Sequence, residues 1–449
     1  MKRTYIDSGN PIIGNIPEGW QLKRLKDVGY LYGGLTGKGG DDFDVNEEKD
    51  NFALYIPFTN IFNNTYISPN VLGKVKVSED EKQNEVHKGD LLFLMSSEDY
   101  DGIGKPAVID FELANLYLNS FCKGFRITAD INSKYLNYLM SSHVERELVR
   151  LEAKGFIRIN LRQDKLACCD IIVPPRLEQD RIAVFLDEKC EEIDSLIRMQ
   201  EQMIEKLKVF KQSVITETVT KGLDSKAKLV PSGIDWIEEI PEGWEIKPFK
   251  KVFRTGKGLS FTKAELVKEG VPVISYGQIH SKQNTGTRID DVLIRYVPAE
   301  ITKGGEASRV NIGDFIFADT SEDLSGCGNC VYIDKEMGLY AGYHSVVAIS
   351  KRDESNAYLA YLFLTDCWRS QIRCRVSGIK VFSISQAIIN QTLVILPSKE
   401  EQYKIASYLD MKCAGIDRLI ALKQQKIEKL KDYKKSVIYE AVTGKIDII

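Results

Sequence analysis

The chain has 449 residues, 43% hydrophobic and 28% charged, with a net charge of −3. It is too long for one core and has the balance of a well-folded protein of two or three domains, while near-neutrality argues against a DNA binder that works alone and without sequence preference. The opening MKRTYIDSGN lacks the apolar stretch of a secretory signal, no apolar run approaches the roughly 20 residues that cross a bilayer, and nine scattered cysteines suit a reducing compartment, so the expected location is cytoplasmic.

In chain order, the first block that stands out is Ile16-Pro-Glu-Gly-Trp20, an anchoring turn expected before a first strand. It returns as Ile240-Pro-Glu-Gly-Trp244, and the whole chain proves to be written twice at an offset of 223–224 residues. Short apolar runs follow at 90–95, 107–109 and 171–173, with counterparts at 314–317, 331–333 and 392–396. Bounded by Gly, Asn and Asp turns, they are read as strands. Residues 131–153 and 355–373 are read as amphipathic helices. Glu98-Asp99 and Glu322-Asp323 stand before Gly102-x-Gly104 and Gly326-x-Gly328, where paired acids are expected to shape that turn or face a partner rather than serve metal-assisted chemistry.

The closest internal match joins Pro174–Thr220 to Pro397–Thr443, with 26 of 47 positions identical. Few residues there break a helix, and apolar positions recur at alternating steps of three and four. The seam is expected at Ile193, Ile197, Ile204, Leu207, Phe210 and Val214, with Ile416, Ile420, Ile427, Leu430, Tyr433 and Val437 as its twin; Gln200 and Lys423 are matched polar interruptions. A single amphipathic helix of that length cannot bury its stripe alone, so the two are expected to pair as an antiparallel coiled coil. The predicted fold is α+β: two similar globular domains joined by two long helices, with a pseudo-twofold internal repeat. The boundaries are 1–175 for the first domain, 176–222 for its helix, 223–237 for a linker, 238–398 for the second domain, and 399–449 for its helix and tail.

Catalytic motifs are missing. The sequence has no P-loop, no Asn/Asp-Pro-Pro-aromatic methylation motif and no Gly-x-Gly-x-x-Gly opening a helix. Glu152-Ala-Lys154 matches a nuclease pattern only loosely. His87, His143, His280 and His344 all fall opposite other residue types, which excludes a duplicated histidine site. Cys327-x-x-Cys330 faces Ile103 and Pro106 in the other copy, so packing cysteines are expected and no metal.

Two Ile-Pro-Glu-Gly-Trp blocks each open a divergent domain that closes on a Pro–Glu-Gln–x-x-Ile-Ala helix: Pro174, Glu178-Gln179, Ile182-Ala183 and Pro397, Glu401-Gln402, Ile405-Ala406. With the Gly-Asp strands at 89–93 and 313–317, this order resembles the specificity subunit of type I restriction–modification enzymes over essentially the whole chain. The resemblance implies a non-catalytic subunit of a defence against foreign DNA. Its two target recognition domains would each read half of a bipartite, asymmetric double-stranded DNA site. The paired helices would set the spacing and dock two methyltransferase subunits, with restriction (motor-nuclease) subunits beyond them. S-adenosylmethionine, ATP and Mg would belong to those partners, with no cofactor on this chain. The alternative is a non-catalytic protein-docking scaffold or the DNA-binding subunit of another phage-defence complex.

Base and phosphate contacts need Arg, Lys, Asn or Gln. The candidates are Lys38, Lys105, Lys154, Arg158, Asn160 and Arg162 in the first domain. In the second they are Lys257, Arg288, Arg309, Arg373, Arg375 and Lys380. A glycine-led loop, Lys154-Gly155 to Arg162 against Ser377-Gly378 to Ser385, keeps its glycine while its basic residues change, and is the preferred reading loop.

Overall fold

The computed structural model describes residues 3–46, 51–78, 80–155, 158–352 and 356–448. The chain forms two compact units, one of residues 1–201 with 424–449 and one of residues 202–423. Each unit therefore holds a globular domain, the near half of its own long helix and the far half of the other repeat's.

In the first unit the central sheet runs Gly29–Gly33, Cys122–Ile127, Leu91–Leu94, Pro106–Val108, antiparallel throughout. The second unit repeats it as Phe253–Lys257, Ser345–Ser350, Phe315–Ala318, Cys330–Tyr332. Leu91–Leu94 and Phe315–Ala318 read as continuous apolar runs because both faces are covered, by helices on one side and by a three-stranded sheet with its own apolar cluster on the other. The stretch expected as a linker at 223–237 contributes Leu229–Ile234, paired with Ile237–Pro241.

The helical stretches at 131–153 and 355–373 each fold as two short helices: Ser133–Ser141 and His143–Glu152, then Ala357–Phe363 and Asp366–Arg373. Ser142 and Thr365 adopt extended backbone and divide them, and the Thr365 hydroxyl accepts from Trp368 N–H. Residue 355 lies outside the described residues.

The long helices span Arg176–Lys221 and Lys399–Val442, 46 and 44 residues, about 66–69 Å at 1.5 Å per residue. The duplicated signature explains how each begins. The Trp20 indole donates to Glu178 at 2.9 Å and the Trp244 indole to Glu401 at 3.1 Å, tying the opening turn of each domain to the first turn of its helix. Gln179 donates to the Pro174 carbonyl and Gln402 to that of Pro397, at 2.8 and 2.7 Å. Ser398 accepts from Glu401 N–H as a capping residue should, but the Glu401 carboxylate serves the indole. Both helices end on a left-handed glycine, Gly222 (φ +75°) and Gly444 (φ +68°).

The helices pair antiparallel within each unit. In the first, Lys434 donates to both Asp194 carboxylate oxygens at 2.7–2.8 Å; in the second, Lys211 does the same to Asp417 at 2.7 Å. Ile193, Ile204, Ile416, Ile427 and Val437 are buried; Ile197, Leu207, Val214, Ile420 and Leu430 are partly so. Phe210 and Tyr433 lie outside the seam, 56% and 55% exposed. Burial passes from Leu207 to Lys211 and from Leu430 to Lys434, a step of four where the apolar pattern offered a step of three. The lysine stems cover the seam and their ammonium groups reach the aspartates.

Candidate nucleic-acid interface

At one end of each central sheet a two-residue strand crosses to the glycine-led loop. Ser96–Ser97 pairs with Ile159–Asn160, and Thr320–Ser321 with Phe382–Ser383. Backbone hydrogen bonds join the two sides of the loop. Lys154 and Asn160 exchange both backbone hydrogen bonds at 3.0 and 2.9 Å, and Ser383 N–H donates to the Ser377 carbonyl at 3.4 Å. Glycine is required at its turn. A Cβ on Gly155 (φ +150°) or Gly378 (φ +154°) would lie 2.0 Å from the carbonyl oxygen of Arg158 or Val381. In the acidic turns beside it the aspartates hold the turn. Asp99 accepts from Gly102 N–H and Asp323 from Gly326 N–H, each at 2.7 Å, and no group of potential metal ligands occurs among the described residues. Cys327 and Cys330 are buried free thiols, their pKa values raised by burial.

In the second unit this arrangement opens a cleft of about 940 Å³ lined by Tyr276, His280, His344, Arg369, Arg373 and Val381, among others. His280 Nε2 donates to the Thr320 carbonyl (2.8 Å) and Nδ1 accepts from the Asn329 amide (3.1 Å), so that ring is a strut. His344 is different. Its Nδ1 lies 3.3 Å from an Asp319 carboxylate oxygen, its ring meets Tyr276 and Tyr343 edge-on, and its backbone is left-handed, φ +52°. Arg369 is half-buried with its Nε donating to the Phe363 carbonyl at 2.8 Å, and desolvation lowers its pKa.

The candidate cations fall into two groups. Around the loop of the first unit, the Arg158 guanidinium lies 5.2 Å from the centre of the Phe121 ring. Asn160 donates to the Arg158 carbonyl, and Lys154 is exposed beside them. Arg162 is bound to Asp164 at 2.9 and 3.1 Å. Lys105 sits over the Phe62 ring at 5.4 Å and donates to the Phe62 carbonyl; burial lowers its pKa. Lys38 is the least available, its side chain 8% exposed and its ammonium on Glu81 at 2.6 Å.

In the second unit Lys257 and Arg373 line the clefts on either side of Thr320, and Lys380 is exposed on the loop. Arg373 is also held by Asp366 (2.7 Å) and the Ser325 carbonyl (3.1 Å). Arg288 turns to Asp410 of the long helix at 3.3 Å, the Arg309 backbone pairs with that of Tyr340, and Arg375 is tied to the Gln371 carbonyl. Phe121, Tyr276 and Asp319 are absent from the sequence candidates, and His344 figures there only as a histidine that lies opposite another residue type. Their signal was the mismatch of residue types at equivalent positions.

Comparison with known proteins follows the same duplication. The family described as type I restriction modification DNA specificity domain matches twice, over residues 17–208 and 241–432. The putative MjaX specificity subunit of Methanocaldococcus jannaschii is 26% identical over 97% of this chain and 96% of its own length. The EcoKI specificity subunit of Escherichia coli K12 is 23% identical over 96% and 90%. The HsdS subunit of Thermoanaerobacter tengcongensis shares the fold with TM-score 0.54, at 15% identity over 96% of this chain and 98% of that one. A chain from a study of type I restriction–modification complex assembly and conformational transition shares it with TM-score 0.70, at 14% identity over 96% and 99%. No helix is long and apolar enough to cross a membrane among the described residues. With both halves matched, the chain belongs to the type I restriction–modification DNA specificity family, as a non-catalytic specificity subunit.

Proposed function

We propose that each unit reads one half of a bipartite, asymmetric target in double-stranded DNA, with the glycine-led loop and its flanking cleft as the reading surface. The observation that carries this is the pairing of one scaffold with two chemistries. Strand order and registers repeat between the units, while the side chains around the loop change from Arg158 and Phe121 to Val381 and His344. A conserved frame with exchanged contacts is what two unlike half-sites demand.

The paired helices set the spacing and dock two methyltransferase subunits, and through them restriction subunits. Exposed apolar side chains on the helices, among them Leu177, Val209, Phe210, Tyr403, Met411 and Tyr433, support a protein-docking role. S-adenosylmethionine, ATP and Mg serve those partners in the cytoplasm. The test is to replace residues 238–398 with the corresponding domain of a relative and map methylated positions in DNA modified by the chain with its methyltransferase. One half of the split motif should change and the other persist. Change in both halves, or in neither, sinks the reading.

A further inference from the structure

The two units can be superposed position by position through their hydrogen bonds. Met95 N–H donates to the Phe121 carbonyl at 3.4 Å, as Asp319 N–H does to that of His344 at 3.3 Å. Leu161 N–H donates to the Met95 carbonyl at 3.0 Å, as Ile384 N–H does to that of Asp319 at 2.7 Å. The strands beside the loop pair in the same register, Asn160 with Ser96 and Ser383 with Thr320, and two residues before each partner stand Arg158 and Val381. Three equivalent positions therefore differ together: Met95, Phe121 and Arg158 become Asp319, His344 and Val381.

Each set is consistent in charge. In the first unit a guanidinium lies across a neutral ring. In the second the cation is gone, the ring has become an imidazole, and a carboxylate has appeared beside it at 3.3 Å. The side chains are presented outward: Phe121 is 54% exposed, and Arg158 and His344 are exposed. Arg158 differs from Arg162 and Arg373, whose guanidinium groups are held by Asp164 and Asp366. Among the described residues no acceptor holds the Arg158 fork, so the ring fixes its plane and leaves its N–H groups for a ligand. His344 holds a left-handed backbone that a residue with a Cβ rarely adopts, and such strain gathers at binding sites.

We propose that these matched positions are the specificity-determining subsites of the two reading surfaces. Arg158, steadied by Phe121, takes the acceptor edge of a guanine in one half-site. His344, beside the Asp319 carboxylate, offers its Nε2 to a different base pair in the other. The inference rests on the DNA-reading function above and names the side chains that discriminate. A planar fork suits the paired O6 and N7 acceptors of guanine, whereas an imidazole whose Nδ1 faces the Asp319 carboxylate turns a single nitrogen, Nε2, outward.

The test uses the full chain with its methyltransferase subunits, mapping sequence preference position by position from methylated DNA. R158A should relax one position of one half-site by roughly tenfold or more, leaving the other half-site unchanged. R158K should relax the same position, since lysine keeps the charge but loses the fork. H344A should relax a position in the other half-site. The transplant D319M/H344F/V381R should create a G·C preference there. Uniform loss of affinity with every position's preference intact, in R158A and H344A alike, overturns the proposal. A wild-type complex without a split motif overturns the underlying function as well, which separates the two failures.

Discussion

Buried Glu145 shows how far the two halves diverge behind a common frame. Its carboxyl is fully buried, neither oxygen finds a hydrogen-bond partner among the described residues, and burial, with a lesser push from Asp170, raises its pKa well above 4.5. The equivalent residue is Trp368, packed at a tilt among Phe249, Phe317 and Phe363, with its ring 4.2 Å from that of Phe363. In the folded chain Glu145 keeps its proton; in the unfolded chain it releases it above about 4.5. Its contribution is therefore fully present below 4.5 and is lost as pH rises toward the folded pKa, at up to about 1.4 kcal/mol per pH unit. E145Q should flatten that dependence and gain stability over wild type as pH rises from 4.5 to 8, read by urea unfolding at each pH. Identical pH profiles would show that the carboxyl is solvated. Gly29 carries a similar lesson. A Cβ there would meet the Arg126 carbonyl at 2.3 Å and the Phe125 ring at 2.6 Å, whereas the second repeat has Phe253 at this position and Ala348 in place of Phe125. Large and small have changed places across neighbouring strands. G29A should cost about 1–3 kcal/mol, measured as a lower urea midpoint at unchanged m-value. Neither exchange was legible in the sequence, because it depends on which side chains face each other across the sheet.

The long helices and their antiparallel pairing were legible, because a 26-in-47 identity repeats every signal twice. The exact seam was not. Phe210 and Tyr433 satisfied the apolar spacing, yet Lys211 and Lys434 occupy the positions that turn inward, and only the partner aspartates explain why. Of the candidate DNA-contacting residues, those on the glycine-led loop were chosen by comparing the two repeats. Lys38 and Arg288 look free in sequence, but Glu81 and Asp410 hold them, through contacts far apart along the chain. The Lys211–Asp417 pair is partly exposed, so solvent screening limits its value. A double-mutant cycle with K211A and D417A should return a coupling of about 0.5 kcal/mol that shrinks in high salt. A coupling of zero would leave the apolar seam alone to fix the register.

The compact units do not coincide with the sequence repeats, and that has a consequence at the scale of the molecule. Ile182, Ala183, Leu186 and Cys190 of the first helix lie in the core of the first unit, whereas Ile215 and Val219 lie in the core of the second. The second helix reverses this, starting with Ile405, Ala406 and Leu409 in the second unit and ending with Val437, Ala441 and Val442 in the first. Matched tyrosines receive the helix ends. Tyr358 donates to the Val219 carbonyl at 2.8 Å, and Tyr135 to that of Val442 at 3.4 Å. A charge placed at either end should therefore loosen the domain that the other repeat encodes. Burying an unpaired carboxylate costs about 3–5 kcal/mol. V219D should speed amide exchange in Phe315–Ala318 and Ser345–Ser350 while sparing Leu91–Leu94 and Cys122–Ile127. V442D should do the reverse. Exchange that quickens instead in the substituted residue's own repeat would show that each half folds on its own helix, and that the reciprocal exchange of helix ends is not what stabilises the chain.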